Sequence, residues 1–262
     1  MELPSRIDPG AVDVLLCDAD GCLFASEEPA FEASARVTNR LLAELAIDRT
    51  FSGEELRLAT TGKNFRATAT ELAAEHGRAI EGDELERWVD EERRAVTAHL
   101  RDVLEPDPAV TEPLARLSRT RRLAVVSSSA LSRVAACLEA AGLAELFPPE
   151  MRFSAEDSLP APASKPDPAI YEHAGARLGA PPSHALALED SVPGARSAIA
   201  AGYETVGNVM FVPQRERAAR VDELIETGAA GCVASWGELE QWLNRAYGDA
   251  VEAAERAEGA PA

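Results

Sequence analysis

Val12–Phe24, read Val-Asp-Val-Leu-Leu-Cys-Asp-Ala-Asp-Gly-Cys-Leu-Phe, constrains this chain more than any other stretch. Val12–Cys17 is a short, mostly apolar run containing β-branched residues, the pattern of a strand buried in a sheet. It stops at two carboxylates one residue apart, Asp18 and Asp20, followed by Gly21. Positions i and i+2 of an extended strand share a side, so both carboxylates project from the strand's C-terminal tip. That edge of an open α/β sheet is where ligands bind. Two anions held so close repel each other unless a cation or a shared proton offsets the repulsion. A divalent metal meets the requirement, with Asp18 placed as a nucleophile and Asp20 as an acid/base. Taken alone, Asp-Ala-Asp-Gly also reads as a polar turn closing a strand, because short motifs recur by chance. The residues downstream decide between the two.

Length and charge narrow the field. At 262 residues the chain has room for one large or two small domains. It is 46% hydrophobic and 27% charged, and no apolar run approaches the ~18 residues that span a bilayer. The start, Met-Glu-Leu-Pro-Ser-Arg, lacks a basic region followed by an apolar stretch, so no secretory signal is expected. Cys17, Cys22, Cys137 and Cys232 are scattered without CxxC spacing. Neither a zinc knuckle nor a disulfide framework is indicated, and reduced thiols in a cytoplasm fit best. A formal net charge of −19 argues against nucleic acid, whose binding rests on Lys and Arg neutralising phosphates. An anionic small substrate would need a local positive site within that acidic surface. Only two of the 26 basic residues are Lys, Lys63 and Lys165, and both sit in polar loops.

The rhythm of the chain changes twice. After Val12–Cys17, apolar positions at helical spacing over Phe31–Ala46, a capping-box pattern at Ser52 and Glu55, the run Ala67–His76 and the amphipathic Leu85–Leu104 make a block of helices. Pro106-Asp-Pro ends the block. Beyond it, strands at Arg122–Val126, Met151–Ser154, Ala185–Leu188, Thr205–Val209 and Gly231–Ala234 alternate with helices at Ala109–Arg119, Ala130–Ala141, Ala169–Leu178, Gly194–Ala201 and Trp236–Arg245. Ser127-Ser-Ser reads as the cap of the second of these helices. Alternation of this kind implies an α/β fold, a mainly parallel sheet with right-handed crossovers and an inserted all-helical domain. The expected domains are a core of residues 1–29 with 107–262 and a helical cap of 30–106. The Ala/Glu-rich tail Tyr247–Ala262 reads as frayed helix or disorder.

Polar residues gather at the strand ends of this layout: Asp18 and Asp20 at the first, Ser127 at the second, Glu189 and Asp190 at the fourth. Lys165 lies in the loop Ser164-Lys-Pro-Asp-Pro, ahead of a helix. Carboxylates with one hydroxyl and one ammonium favour a hard cation such as Mg²⁺, which keeps waters and binds a substrate's phosphate. A thiol- or imidazole-rich set would favour zinc. His76, His99, His173 and His184 have no suggestive partners and read as surface or helix-face residues.

In this order, Asp-x-Asp-Gly-x-Leu, strand-end Ser, Lys-Pro-x-Pro and Glu-Asp-Ser-x-x-Gly, the chain resembles the haloacid dehalogenase-like hydrolase superfamily. The likeness is closest to the branch containing β-phosphoglucomutase and phosphoglycolate phosphatase. That resemblance implies a Rossmann-like core with a helical cap inserted after the first strand. It also implies roles. Asp18 resembles the nucleophile that forms an aspartyl-phosphate, and Asp20 the general acid that later activates water. Ser127 matches the hydroxyl that bonds the phosphoryl group, and Lys165 the ammonium that offsets charge on Asp18 and phosphate. Asp190 matches the metal-binding carboxylate, together with Asp18 and the main-chain carbonyl of Asp20, and Glu189 a partner one step behind the metal. Dehalogenases of the superfamily lack the second acid, so Asp20 favours phosphoryl transfer.

Two residues depart from the family pattern. Cys22 stands where Thr is usual, removing a hydroxyl from the loop behind the nucleophile, and Ala19 replaces a bulkier apolar residue. Substrate contacts are expected from Ser128 and Ser129 beside Ser127. They are also expected from Lys63, Asn64 and Arg66 at the helix junction Thr60–Arg66, which reads equally as an ordinary helix start. Closure of the cap over the core would exclude water from the site. The tryptophans Trp88, Trp236 and Trp242 read as packing. The leading expectation is a Mg²⁺-dependent phosphatase acting on a small phosphorylated metabolite such as a sugar or polyol phosphate, working as a monomer or homodimer. A phosphomutase and a catalytically weak binding protein are the alternatives.

Overall fold

The computed structural model describes residues 8–60 and 64–244. After β1 (Val14–Cys17) come four helices, α1 (Glu27–Glu44), α2 (Gly53–Ala59), α3 (Phe65–Glu75) and α4 (Gly82–Val103). Then follow α5 (Pro108–Leu117), β2 (Arg122–Ser127), α6 (Leu131–Ala140), β3 (Arg152–Ser154), α7 (Ala169–Leu178), β4 (Ala185–Glu189), α8 (Val192–Ala200), β5 (Glu204–Asn208), α9 (Arg217–Thr227) and β6 (Gly231–Val233). A last helix, α10, covers 236–244. The described residues form two compact units, one running up to Phe24 and resuming at Glu105, the other Ala25–Leu104.

The first unit is built on a parallel six-stranded sheet in the order β3-β2-β1-β4-β5-β6. Every residue of β1 and β4 is buried, as a sheet covered by helices on both faces requires. Val14, Leu16, Ala124, Val126, Ala185 and Ala187 pack with Ile170, Tyr171 and Ala174 of α7 in one apolar cluster. Ala195, Leu224 and Cys232 anchor another cluster, formed with α8 and α9. Chain order reverses about β1, since β2 and β3 lie to one side and β4, β5 and β6 to the other. In such sheets the crevice at the strands' C-terminal ends, at the point of reversal, is the ligand site. The register sets Cys17 beside Val125 on one neighbour and Leu188 on the other. The Asp18 N–H then donates to the Leu188 carbonyl at 2.9 Å. Asp18, Ser127 and Glu189 thus leave three adjacent strands at nearly one level.

The second unit is wholly helical among its described residues. Val37 and Leu41 of α1 pack with Ala69 and Ala73 of α3 and Leu85 and Trp88 of α4. The capping box forms at α2, where Ser52 accepts from the Glu55 N–H and the Glu55 carboxylate accepts from the Ser52 N–H.

Two readings of the sequence need correction. The serine run does not cap α6: its N-cap is Ala130, which provides no side-chain bond. Asp157 supplies the acceptor instead, taking the Leu131 N–H at 2.6 Å, because the serine hydroxyls are engaged at the sheet edge. Helix α9 was not expected. Among its residues only Leu224 is fully buried, so its apolar periodicity is too thin to read. The tail Tyr247–Ala262 lies outside the described residues.

Candidate active site

Lys165 joins three elements at the tip of β1. Its Nζ donates to Asp18 Oδ1 at 2.5 Å, to Glu189 Oε1 at 2.6 Å and to the Val126 carbonyl at 2.7 Å. Its side chain is only 6% exposed. An ammonium has three hydrogens, so all are used. Burial opposes the charge on Lys165, yet Asp18 and Glu189 together hold it above the ordinary lysine range. Burial above all, opposed by Lys165 and reinforced by Glu189, leaves the Asp18 carboxyl pushed up to about 7. The buried charges therefore sum to an excess of negative over positive, a setting that favours a further cation.

Asp18, Glu189 and Asp190 each offer a carboxylate oxygen, and these oxygens lie within 4.8 Å of one another. All three residues are buried. Glu189, read from the sequence as standing one step behind the metal, contributes to this same cluster, and its Oε2 is buried without a hydrogen-bond partner. An all-oxygen anionic set with a spare buried oxygen fits a hard divalent cation. No histidine or cysteine joins such a group among the described residues. Gly21 makes the cluster possible: its φ is +80°, and a Cβ there would collide with the Asp190 carboxylate. Gly194 does the same for Glu189, whose carboxylate occupies the space a side chain would fill. The glycines of both acidic motifs are thus explained by close approach.

Asp20 is turned the other way. Its Oδ2 accepts from Ser129 Oγ at 2.8 Å and its Oδ1 from Arg133 Nη2 at 3.2 Å, so its side chain lies outside the acidic cluster. Ser127, 1% exposed, accepts the Ser129 N–H at 3.0 Å, and Ser128 Oγ accepts the Lys165 N–H at 3.3 Å. Ser129 and Ser128 therefore link the end of β2 to the Asp20 loop and the Lys165 loop respectively. In the helical unit, Asn64 caps α3 by accepting the Ala67 N–H at 2.9 Å. Arg66 forms a two-pronged pair with Glu86 of α4. Lys63 lies outside the described residues.

Several residues that the motifs did not suggest support the site. Arg133 lies in the first turn of α6, close behind the serine run, a position that could have flagged it. Trp236 Nε1 donates to the Cys22 carbonyl at 3.1 Å, and Asn208 Nδ2 donates to the same oxygen at 3.3 Å. The Cys22 thiol itself points to the Leu188 carbonyl at 3.7 Å. Arg220 of α9 holds the Asp190 carbonyl at 2.8 Å. Nothing in the local sequence marks Trp236, Asn208 or Arg220, because each acts from a different strand or helix.

A model of the haloacid dehalogenase-like hydrolases matches residues 12–202. The chain belongs to this family. It is an enzyme of the phosphoric monoester hydrolase class. Protein CbbY of Cereibacter sphaeroides is 30% identical over 229 residues, which cover 83% of this chain and 93% of that protein. Among solved structures, a haloacid dehalogenase-like protein from Agrobacterium tumefaciens is 27% identical with a TM-score of 0.67, covering 94% of this chain and 99% of that one. A family hydrolase from Deinococcus radiodurans, solved with phosphate and sodium bound, is 27% identical with a TM-score of 0.65, covering 90% and 97%. A variant of CbbY from Rhodobacter sphaeroides, solved with xylulose-(1,5)bisphosphate, is 26% identical with a TM-score of 0.64, covering 87% and 96%. Among the described residues of this hydrolase no helix is long and apolar enough to cross a membrane.

Proposed function

We propose that this hydrolase is a Mg²⁺-dependent phosphatase that removes phosphate from a small phosphorylated sugar or polyol through an aspartyl-phosphate on Asp18. The observation that carries the reading is the arrangement at the tip of β1. There one buried ammonium is shared by Asp18 and Glu189, with the Asp190 carboxylate in the same cluster. Asp18, Glu189 and Asp190, with the Asp20 carbonyl, would hold the ion. Bound there, Mg²⁺ would neutralise charge between the carboxylate and the phosphate. Asp18 attacks phosphorus, and the phosphoryl group passes to its carboxylate as the leaving oxygen departs. Asp20 gives the leaving oxygen its proton and then takes one from the water that hydrolyses the acyl phosphate. Lys165 offsets charge at the reacting centre, and Ser127 bonds a phosphoryl oxygen.

The helical unit would supply specificity, with Lys63, Asn64 and Arg66 proposed as contacts to the part of the substrate that does not react. Binding of xylulose-(1,5)bisphosphate by the CbbY variant supports a phosphorylated ketose or its relatives as the substrate class. The enzyme itself would work as a monomer or homodimer in a cytoplasm. The test is phosphate release from a panel of phosphorylated sugars and polyols, with Mg²⁺ and with chelator. Turnover is expected only with the ion and is expected to disappear in Asp18→Asn. Full activity in Asp18→Asn, or turnover indifferent to chelation, would overturn the reading.

A further inference from the structure

Tyr171 belongs to none of the motifs, yet it is completely buried and ends at the acidic cluster. Its hydroxyl donates to Glu189 Oε1 at 2.6 Å. The same oxygen accepts from Lys165 Nζ at 2.6 Å, and that ammonium stands 5.2 Å from the centre of the Tyr171 ring. A carboxylate oxygen has two lone pairs, so the two donors fill Oε1. Glu189 Oε2 is buried and has no hydrogen-bond partner. A buried carboxylate with one saturated oxygen and one unused oxygen is an incomplete arrangement, and the unused oxygen belongs to the three-carboxylate cluster's own residue.

We propose that Tyr171 is a positioning residue for the cation: with Lys165 it occupies Glu189 Oε1, fixes the rotation of that carboxylate, and reserves Oε2 for the divalent metal or for a water on it. The inference rests on the reading that Asp18, Glu189 and Asp190 hold a divalent cation. A plain structural role is the competing account, since a buried phenol needs an acceptor wherever it lies. The two accounts differ in what the hydroxyl controls. Partners that orient a ligand from behind cost about 10–100-fold in metal affinity when removed, whereas a packing role is felt in the metal-free fold.

The experiment uses the full chain stripped of metal and titrated with Mn²⁺ alone, free ion being followed by electron paramagnetic resonance. Tyr171→Phe keeps the ring over Lys165 and removes only the hydroxyl. It is expected to bind Mn²⁺ about 10–100-fold more weakly than wild type, with Asp190→Asn losing the site. The loss from Tyr171→Phe should disappear in a Glu189→Gln background, where the group it acts through has already been changed. An affinity within twofold of wild type, alongside a lowered melting temperature of the metal-free protein, would overturn the inference and leave the cation site intact. An equal loss in both backgrounds would overturn it too. Wild-type protein that fails to bind Mn²⁺, or binds it as well with Asn at 190, would overturn the cation site and this inference together.

If Tyr171→Phe does not fold, the wild type serves instead. The chain has only three tyrosines, Tyr171, Tyr203 and Tyr247, so ¹³C-labelled tyrosine gives three ring signals that single substitutions at 203 and 247 assign. The Tyr171 Cζ resonance is expected to move on saturation with Mg²⁺. A resonance that stays in place overturns the proposal.

Discussion

Lys165 meets three acceptors with three hydrogens, and two of those acceptors are carboxylates that would otherwise face each other in a buried space. Removing one member of a buried ionic group costs about 3–5 kcal/mol, because the charges left behind have lost both water and partner. Lys165→Met is therefore expected to destabilise the metal-free protein by about 3 kcal/mol in urea unfolding and to lower turnover by at least about 100-fold. Added Mg²⁺ should restore part of the stability, since it also supplies positive charge to the cluster, but not the turnover. The same crowding explains Gly21. With φ at +80° and the Asp190 carboxylate where a Cβ would stand, an alanine there meets strain and collision at once. Gly21→Ala is expected to weaken Mn²⁺ binding in the titration described above, because Asp190 must move to admit the methyl group.

At the scale of elements, the site is held by segments far apart in sequence. The loop after β1 is fixed from behind by Trp236, at the start of α10, and by Asn208, at the end of β5, both donating to the Cys22 carbonyl. The hold on the loop therefore does not depend on the side chain at position 22. The loop is anchored through a main-chain oxygen that any residue supplies, while the thiol donates to the Leu188 carbonyl and accepts from Asn208 Nδ2, both at 3.7 Å. Trp236→Phe keeps most of the packing and deletes one hydrogen bond of about 1 kcal/mol. Turnover of p-nitrophenyl phosphate is expected to fall about fivefold with KM within twofold of wild type, as a mispositioned nucleophile affects the chemical step more than binding. Helix α6 shows the same division of labour: Asp157 takes over its N-terminus, which leaves Ser127 and Ser129 to the site.

Over the whole molecule, the thiols are kept from solvent. The chain carries a net charge of −19, yet its four cysteines are all free and buried. Burial pushes the Cys137 thiol up to about 12 and the Cys232 thiol up to about 11. The thiolate is the reactive form. A pKa raised by burial means that raising the pH from 7 to 9 produces almost no thiolate in the folded protein, whereas an exposed thiol near 8.5 would be largely ionised at the upper end. Native protein is therefore expected to leave all four cysteines unmodified by Ellman's reagent across this range. Four equivalents should react once denaturant exposes them.

Local order determined a great deal here. An apolar β-branched run followed by acid, the 3.6-residue periodicities of α1 and α4, the capping box at Ser52 and the alternation of strands with helices are all short-range properties, and they suffice to specify a parallel α/β sheet interrupted by a helical block. The acidic motifs could be placed at strand ends for the same reason, since a strand's direction and period put its last residues at one edge. Only the tertiary structure decided what those residues touch. It turned the Asp20 carboxylate toward Ser129 and Arg133, brought Glu189 into the cluster with Asp18 and Asp190, and set the Tyr171 hydroxyl on Glu189. It also folded α9, whose single fully buried residue leaves too faint a pattern to read. Each of these depends on packing between separate elements, 18 residues apart for Tyr171 and Glu189 and 109 for Asp20 and Ser129, and a contact of that kind leaves no period or spacing in the sequence on either side of it.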